Sequence, residues 1–137
     1  MTRTASRSAS PARTVVNRMF EAFSAKDLQG ALETVTDDTL WIHHGSQKLR
    51  ALRFEGKSGV EKFFLGSFAA KFDYFRPLSF IEEGDTVIVI GEESFAMDGV
   101  GKAINRWVQV YSIEGGLIAG MEEFATSAGA EDYAVVK

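Results

Sequence analysis

From Thr14 onward the apolar residues fall at helical spacing. Val15, Val16, Met19, Phe20 and Phe23 recur every three or four positions and share one helix face. Thr14 is the predicted N-cap of this helix. Asp27 is placed to cap a second helix, with Leu28, Ala31, Leu32 and Val35 on its apolar side. The period then drops to two. Residues 39–44 read as a strand ending at Gly45. A loop follows to Gly59, where a third helix carries Val60, Phe63, Phe64, Phe68 and Phe72. The rest alternates as strands over 74–82, 85–97, 102–114 and 116–126, separated by Glu-Gly-Asp, Asp-Gly-Val-Gly and Glu-Gly-Gly turns. Two helices, a strand, a helix and a four-stranded meander predict an α+β domain: a strongly curved antiparallel (mixed) sheet wrapped around helices on one face. Residues 1–13 contain no acid and, beyond Met1, no large apolar side chain. Such a segment buries too little to offset its ordering entropy, so a flexible tail is expected there, with a single domain over 14–137.

Composition narrows the chemistry. The chain has 137 residues and no cysteine, which removes disulfides, thiolate nucleophiles and cysteine-based metal centres. Its two histidines, His43 and His44, are adjacent and take opposite faces of a strand, so they cannot grip one metal ion, and no metal or other cofactor is expected. No phosphate-cradling glycine loop joins a strand to a helix. Residues 1–80 hold 12 Lys/Arg against 8 Asp/Glu, whereas residues 81–137 hold 3 against 11. An acidic second half argues against nucleic acid as partner. Lys48, Arg50, Arg53 and Lys57 form the one basic cluster, read as a solvated loop. No apolar run approaches the roughly 18 residues of a membrane span, and there is no secretory h-region, so a soluble cytoplasmic protein is the expectation.

Three stretches carry a resemblance. VVNRMFEAFSAKDLQGALETVTDDTLWIHHG looks like a paired-helix start leading into a first strand. FEGKSGVEKFF looks like the approach to a third helix, and RWVQVYSIEGGLIAGMEEFAT like a closing hairpin with an aromatic-rich last strand. In this order and spacing, over about residues 14–127, the chain resembles the nuclear transport factor 2-like superfamily in its ketosteroid isomerase and SnoaL-like branch. The resemblance implies a sheet curled around a cone-shaped, mostly apolar pocket closed by helices. It also implies a homodimer and a small apolar or amphipathic molecule as ligand.

Pleating then sorts residues by face. Trp41 and His43 share one face of the first strand. Asn105, Trp107, Gln109 and Tyr111 go together on the fourth, and Met121, Glu123 and Ala125 on the last. The resemblance supplies which face is inward. His43 then stands where the isomerases keep their general-base aspartate, and Gln109 near their protonated-aspartate donor. Glu123 and Glu92 stand where limonene epoxide hydrolase keeps its two aspartates. Two departures accompany this. Met19 replaces the isomerases' oxyanion tyrosine, and Ile90 replaces the hydrolase arginine.

On this reading His43, Glu123 and Glu92 are the candidate catalytic groups, with Trp41, Met19, Asn105, Trp107, Gln109 and Met121 contacting the ligand. A histidine titrating near neutrality beside a carboxylate can take and return a proton, and a desolvated Glu123 could serve as the acid. Gln109 can donate to an enolate or carbonyl oxygen. The matching chemistry is cofactor-independent proton transfer next to a carbonyl (isomerisation, cyclisation or dehydration), with water activation as its neighbour. Each residue also has a plainer reading. His43 suits a core histidine bonded to backbone, Glu123 an ion pair, and Trp41 and Trp107 simple core. A non-catalytic binding or dimeric interaction module therefore stands as the alternative. Glu92 and Glu93 are neighbours on opposite faces, so a slip of one residue exchanges them.

Overall fold

The structure, a computed structural model, describes residues 10–97, 99 and 101–137. Of the tail expected over 1–13, residues 1–9 lie outside the described residues, and the remainder opens the first helix. That helix, α1 (Pro11–Ser24), is capped by Ser10, whose side chain accepts from the Arg13 amide at 3.0 Å, with Pro11 in the first turn. The predicted cap at Thr14 is thus one turn late. A proline in the first turn forfeits no intrahelical bond, so the helix extends back to it. Ala12, Val15, Val16, Met19 and Ala22 form its buried face.

Asp27 caps α2 (Leu28–Leu32), accepting from the Gly30 amide at 2.9 Å. This helix is short, and Val35, expected on it, opens β1 (Val35–His43) instead. Tertiary pairing decides this, because Val35 lies beside Ile118 in the sheet. Within the stretch expected as loop, β2 (Leu52–Glu55) pairs antiparallel with β1. Gly56, at φ 72°, turns the chain directly into α3 (Gly56–Ala69), which buries Val60 and Phe64. The meander follows as β3 (Phe72–Glu83), β4 (Thr86–Met97), β5 (Gly101–Glu114) and β6 (Leu117–Thr126).

The six strands form one mixed sheet in the order β2-β1-β6-β5-β4-β3, with β1 parallel to β6 and the other pairs antiparallel. Strand β5 shows how the faces divide. Ala103, Asn105, Trp107, Gln109, Tyr111 and Ile113 are buried under the helices, and their alternates face outward. Among the outward side chains Leu78, Ile90, Ile104 and Phe124 remain exposed. On the helix side Trp107 stacks against Phe75 with ring centroids 5.1 Å apart and lies over Gly91, where a Cβ would collide with the indole. No helix among the described residues is long and apolar enough to cross a membrane.

Candidate functional site

Between α1, α3 and the inner face of the sheet lies a cavity of about 480 Å³. Phe23, Trp41, Phe54, Phe63, Phe75 and Phe95 are among its walls, and Leu49 and Leu52 reach it from the β1–β2 segment. Its polar lining is concentrated on the sheet: His43 from β1, Glu123 from β6, Gln109 and Tyr111 from β5, and Glu93 from β4. Pairing explains the convergence. Glu123 is the cross-strand partner of both His43 and Gln109, so three adjacent strands bring these side chains side by side.

The hydrogen bonds have a direction. Tyr111 donates its hydroxyl to Gln109 Oε1, and Gln109 Nε2 donates to Glu123 Oε1 at 2.6 Å. His43 Nε2 meets Glu123 Oε2 at 2.7 Å, while His43 Nδ1 accepts the Gly45 amide at 2.9 Å. An imidazole whose Nδ1 accepts a backbone N–H carries its proton on Nε2, so His43 is the donor to Glu123. Every donor in this chain points toward Glu123, which holds the end position as an acceptor. His43 has no free lone pair in this tautomer. The expected role of His43 as a base acting directly on a ligand does not fit that geometry.

Charge adds to this picture. Burial depresses the His43 imidazole, but the hydrogen bond and charge of Glu123, together with the charge of Glu93, outweigh it and raise its pKa above 6.5. Tyr111 is fully buried, and burial followed by the Glu123 charge holds its phenol well above the ordinary value. Glu93 is pushed from 4.5 to about 7, first by desolvation and then by the Glu123 charge. An Asn105 hydrogen bond and the His43 charge oppose this. Asn105 Nδ2 donates to Glu93 Oε2 at 3.2 Å, and Glu93 Oε1 has no partner among the described residues.

Of the residues expected from the sequence, the structure brings His43, Glu123, Gln109, Trp41 and Met19 to the cavity wall. Glu92 requires correction. It lies on the outer face, where Tyr74 donates to it at 2.8 Å and Arg106 sits 3.4 Å away. Its neighbour Glu93 occupies the inner face. Asn105, Trp107 and Met121 share that inner face but do not line the cavity. Asn105 lies behind Glu93. Trp107 is filled in between Phe20 and Phe75, and Met121 is buried on β6 with Trp41 and Tyr111 as its cross-strand partners. His44 faces outward, 2.9 Å from Glu122 and stacked on Phe124.

Glu93, Tyr111 and Lys62 are cavity residues that the sequence reading did not assign to a site. A signal for Glu93 was present. The β4–β5 hairpin pairs Glu93 with Asn105 and Gly91 with Trp107, and cross-strand partners share a face. Once Trp107 is inward, Glu93 is inward as well. No group of three or more His, Cys, Asp or Glu side chains arranged to hold a metal ion occurs among the described residues.

Comparison with known proteins places this geometry. The family described as "SnoaL-like domain" matches residues 16–121. No curated protein matches the sequence. Among solved structures, a nuclear transport factor 2-like protein from Burkholderia xenovorans is similar at 19% identity and a TM-score of 0.75, over 86% of this chain and 91% of that one. TerC, co-crystallised with polyporic acid, is 25% identical with a TM-score of 0.68, over 84% and 91%. A putative polyketide cyclase from Sinorhizobium meliloti is 21% identical with a TM-score of 0.65, over 85% and 100%.

Proposed function

Given that this chain belongs to the SnoaL-like domain family, we propose that it binds a small apolar or amphipathic molecule in the cavity and moves a proton on it, with Glu93 as the acid–base group. The carrying observation is that Glu93 presents an unpartnered carboxyl oxygen to a largely aromatic cavity and titrates near pH 7. A general acid or base works best when its pKa lies near the working pH, because both protonation states are then populated. Glu93 can thus take a proton from a carbon next to a carbonyl and return it elsewhere on the same molecule. The Gln109 amide has a second N–H available for the oxygen on which charge develops. His43, Glu123 and Tyr111 act as a set that holds Gln109 in place. Isomerisation, cyclisation and dehydration all use this sequence of proton movements without a cofactor. The co-crystal of TerC with polyporic acid supports a small organic occupant.

The test is solvent-deuterium incorporation. The protein is incubated in D₂O with a panel of enolisable aryl ketones and followed by proton NMR. Incorporation that Glu93→Gln abolishes and His43→Gln only reduces is the expected result. A Glu93→Gln variant as fast as the parent refutes the assignment. A non-catalytic binding module is the second reading, favoured by the full internal occupation of His43. Saturable binding of these ketones with no exchange of any of them would support it.

A homodimer is part of the same proposal, with Ile90, Ile104 and Phe124 on the outer face covered by a second copy. Light scattering should give twice the 15.0 kDa chain mass, and Phe124→Asp should return the monomer.

A further inference from the structure

The cavity has electrical polarity. Its acidic groups, Glu93 and Glu123, sit on the sheet, whereas Lys62 lines the cavity from α3. Both carboxyl oxygens of Glu123 are acceptors, one from His43 and one from Gln109. A ligand anion placed against the sheet would meet these two acidic side chains in a medium of low dielectric. Lys62 is the opposite case. Among the described residues it makes no ion pair. Its helical neighbours three and four positions away are Ser58, Gly59, Leu65 and Gly66, none of them an acid that could pair with it. Lys62 and Gly66, one turn along, are both exposed, and a Cβ built on Gly66 would meet nothing within 4 Å, so Lys62 stands at the rim where the cavity opens to solvent.

Resting on the reading of the cavity as a ligand site, we infer that its ligand is an apolar monocarboxylate carrying a neutral carbonyl or hydroxyl at its far end. Lys62 binds the carboxylate, and the neutral oxygen faces the sheet. The orientation follows from sign alone, since the same molecule reversed would set its anion against Glu123. The aromatic walls take the apolar body between the two ends. A partly hydrated Lys–carboxylate pair is worth a modest factor, about three- to fivefold in affinity.

The experiment compares 2-naphthylacetate with its neutral isostere 2-naphthylacetamide, titrated calorimetrically into the full chain at pH 8 and low salt. The parent should bind the acid about three- to fivefold more tightly than the amide. Lys62→Gln should abolish that margin and Lys62→Glu invert it, with the amide's affinity unchanged across all three proteins. Equal binding of the two probes by the parent overturns the inference and leaves the ligand site standing. A margin that survives in Lys62→Gln does the same. Failure of both probes to saturate the parent overturns the ligand site and the inference together.

Discussion

Glu93→Gln has a consequence for stability that can be worked out from the site. The folded chain keeps the Glu93 proton up to about pH 7, against 4.5 for the free side chain. Between those values the native state binds more protons than the unfolded state, so stability falls as pH rises and levels off above about 7. The full difference corresponds to roughly 3 kcal/mol. One carboxyl oxygen faces the cavity, where water relaxes part of the cost, so about 1–3 kcal/mol is expected. Glutamine keeps an acceptor for the Asn105 amide and cannot ionise. His43 adds a second pH dependence: its raised pKa contributes stability that is present below pH 6.5 and lost as pH rises through its folded value. Both proteins carry His43, and because the Glu93 charge helps raise the His43 pKa, their difference reports Glu93 together with its coupling to His43. Urea unfolding followed by the fluorescence of Trp41 and Trp107, both buried, provides the assay. The variant should gain about 1–3 kcal/mol relative to the parent between pH 5 and pH 8, or roughly 3–10 °C in Tm. A difference that is flat across this range, or that grows toward acid, refutes the argument.

Gly91→Ala should destabilise by about 2–3 kcal/mol in the same unfolding assay and weaken the near-UV tryptophan signal. Its Cβ would fall 2.2 Å from the Trp107 ring and 2.7 Å from the Arg76 carbonyl oxygen. Unchanged stability would show that Trp107 has room to move. Tyr111→Phe removes the donor to Gln109 and leaves a buried amide oxygen unpaired, at a cost of about 1–3 kcal/mol. A cost below the scatter of repeated unfolding curves would count against the directed hydrogen-bond chain. A second proton on His43 must enter at Nδ1, where the Gly45 amide now donates. The Gly45 amide shift and its hydrogen exchange should therefore titrate with the His43 ring in nitrogen-edited NMR spectra, above pH 6.5 because the pKa is raised. A Gly45 resonance indifferent to that titration rules out the assigned tautomer.

Local chemistry was legible in the sequence wherever it had a single solution. The apolar stripe of α1, the Asp27 cap, the four-strand meander and the shared face of Asn105, Trp107, Gln109 and Tyr111 all follow from periodicities of 3.6 and 2 and from residues that cap or turn. The placement of His43 and His44 on opposite faces follows in the same way. Other features depended on partners distant in the chain. The run Val87-Ile88-Val89-Ile90 is apolar at both parities, so nothing within β4 says whether Glu92 or Glu93 is inward. Pairing with β5 decides it. The strand β2 is four residues long and mostly exposed, and exists by its bonds to β1. Val35 fits a helix or a strand by pattern and becomes a strand residue beside Ile118. The site itself shows the same division. Alternation alone could place His43, Gln109 and Glu123 on shared faces of their own strands. The parallel junction of β1 with β6 set His43 against Glu123, the antiparallel pairing of β5 with β6 set Gln109 there, and the pairing of β4 with β5 turned Glu93 toward the cavity, while the Gly45 amide fixed the His43 proton on Nε2.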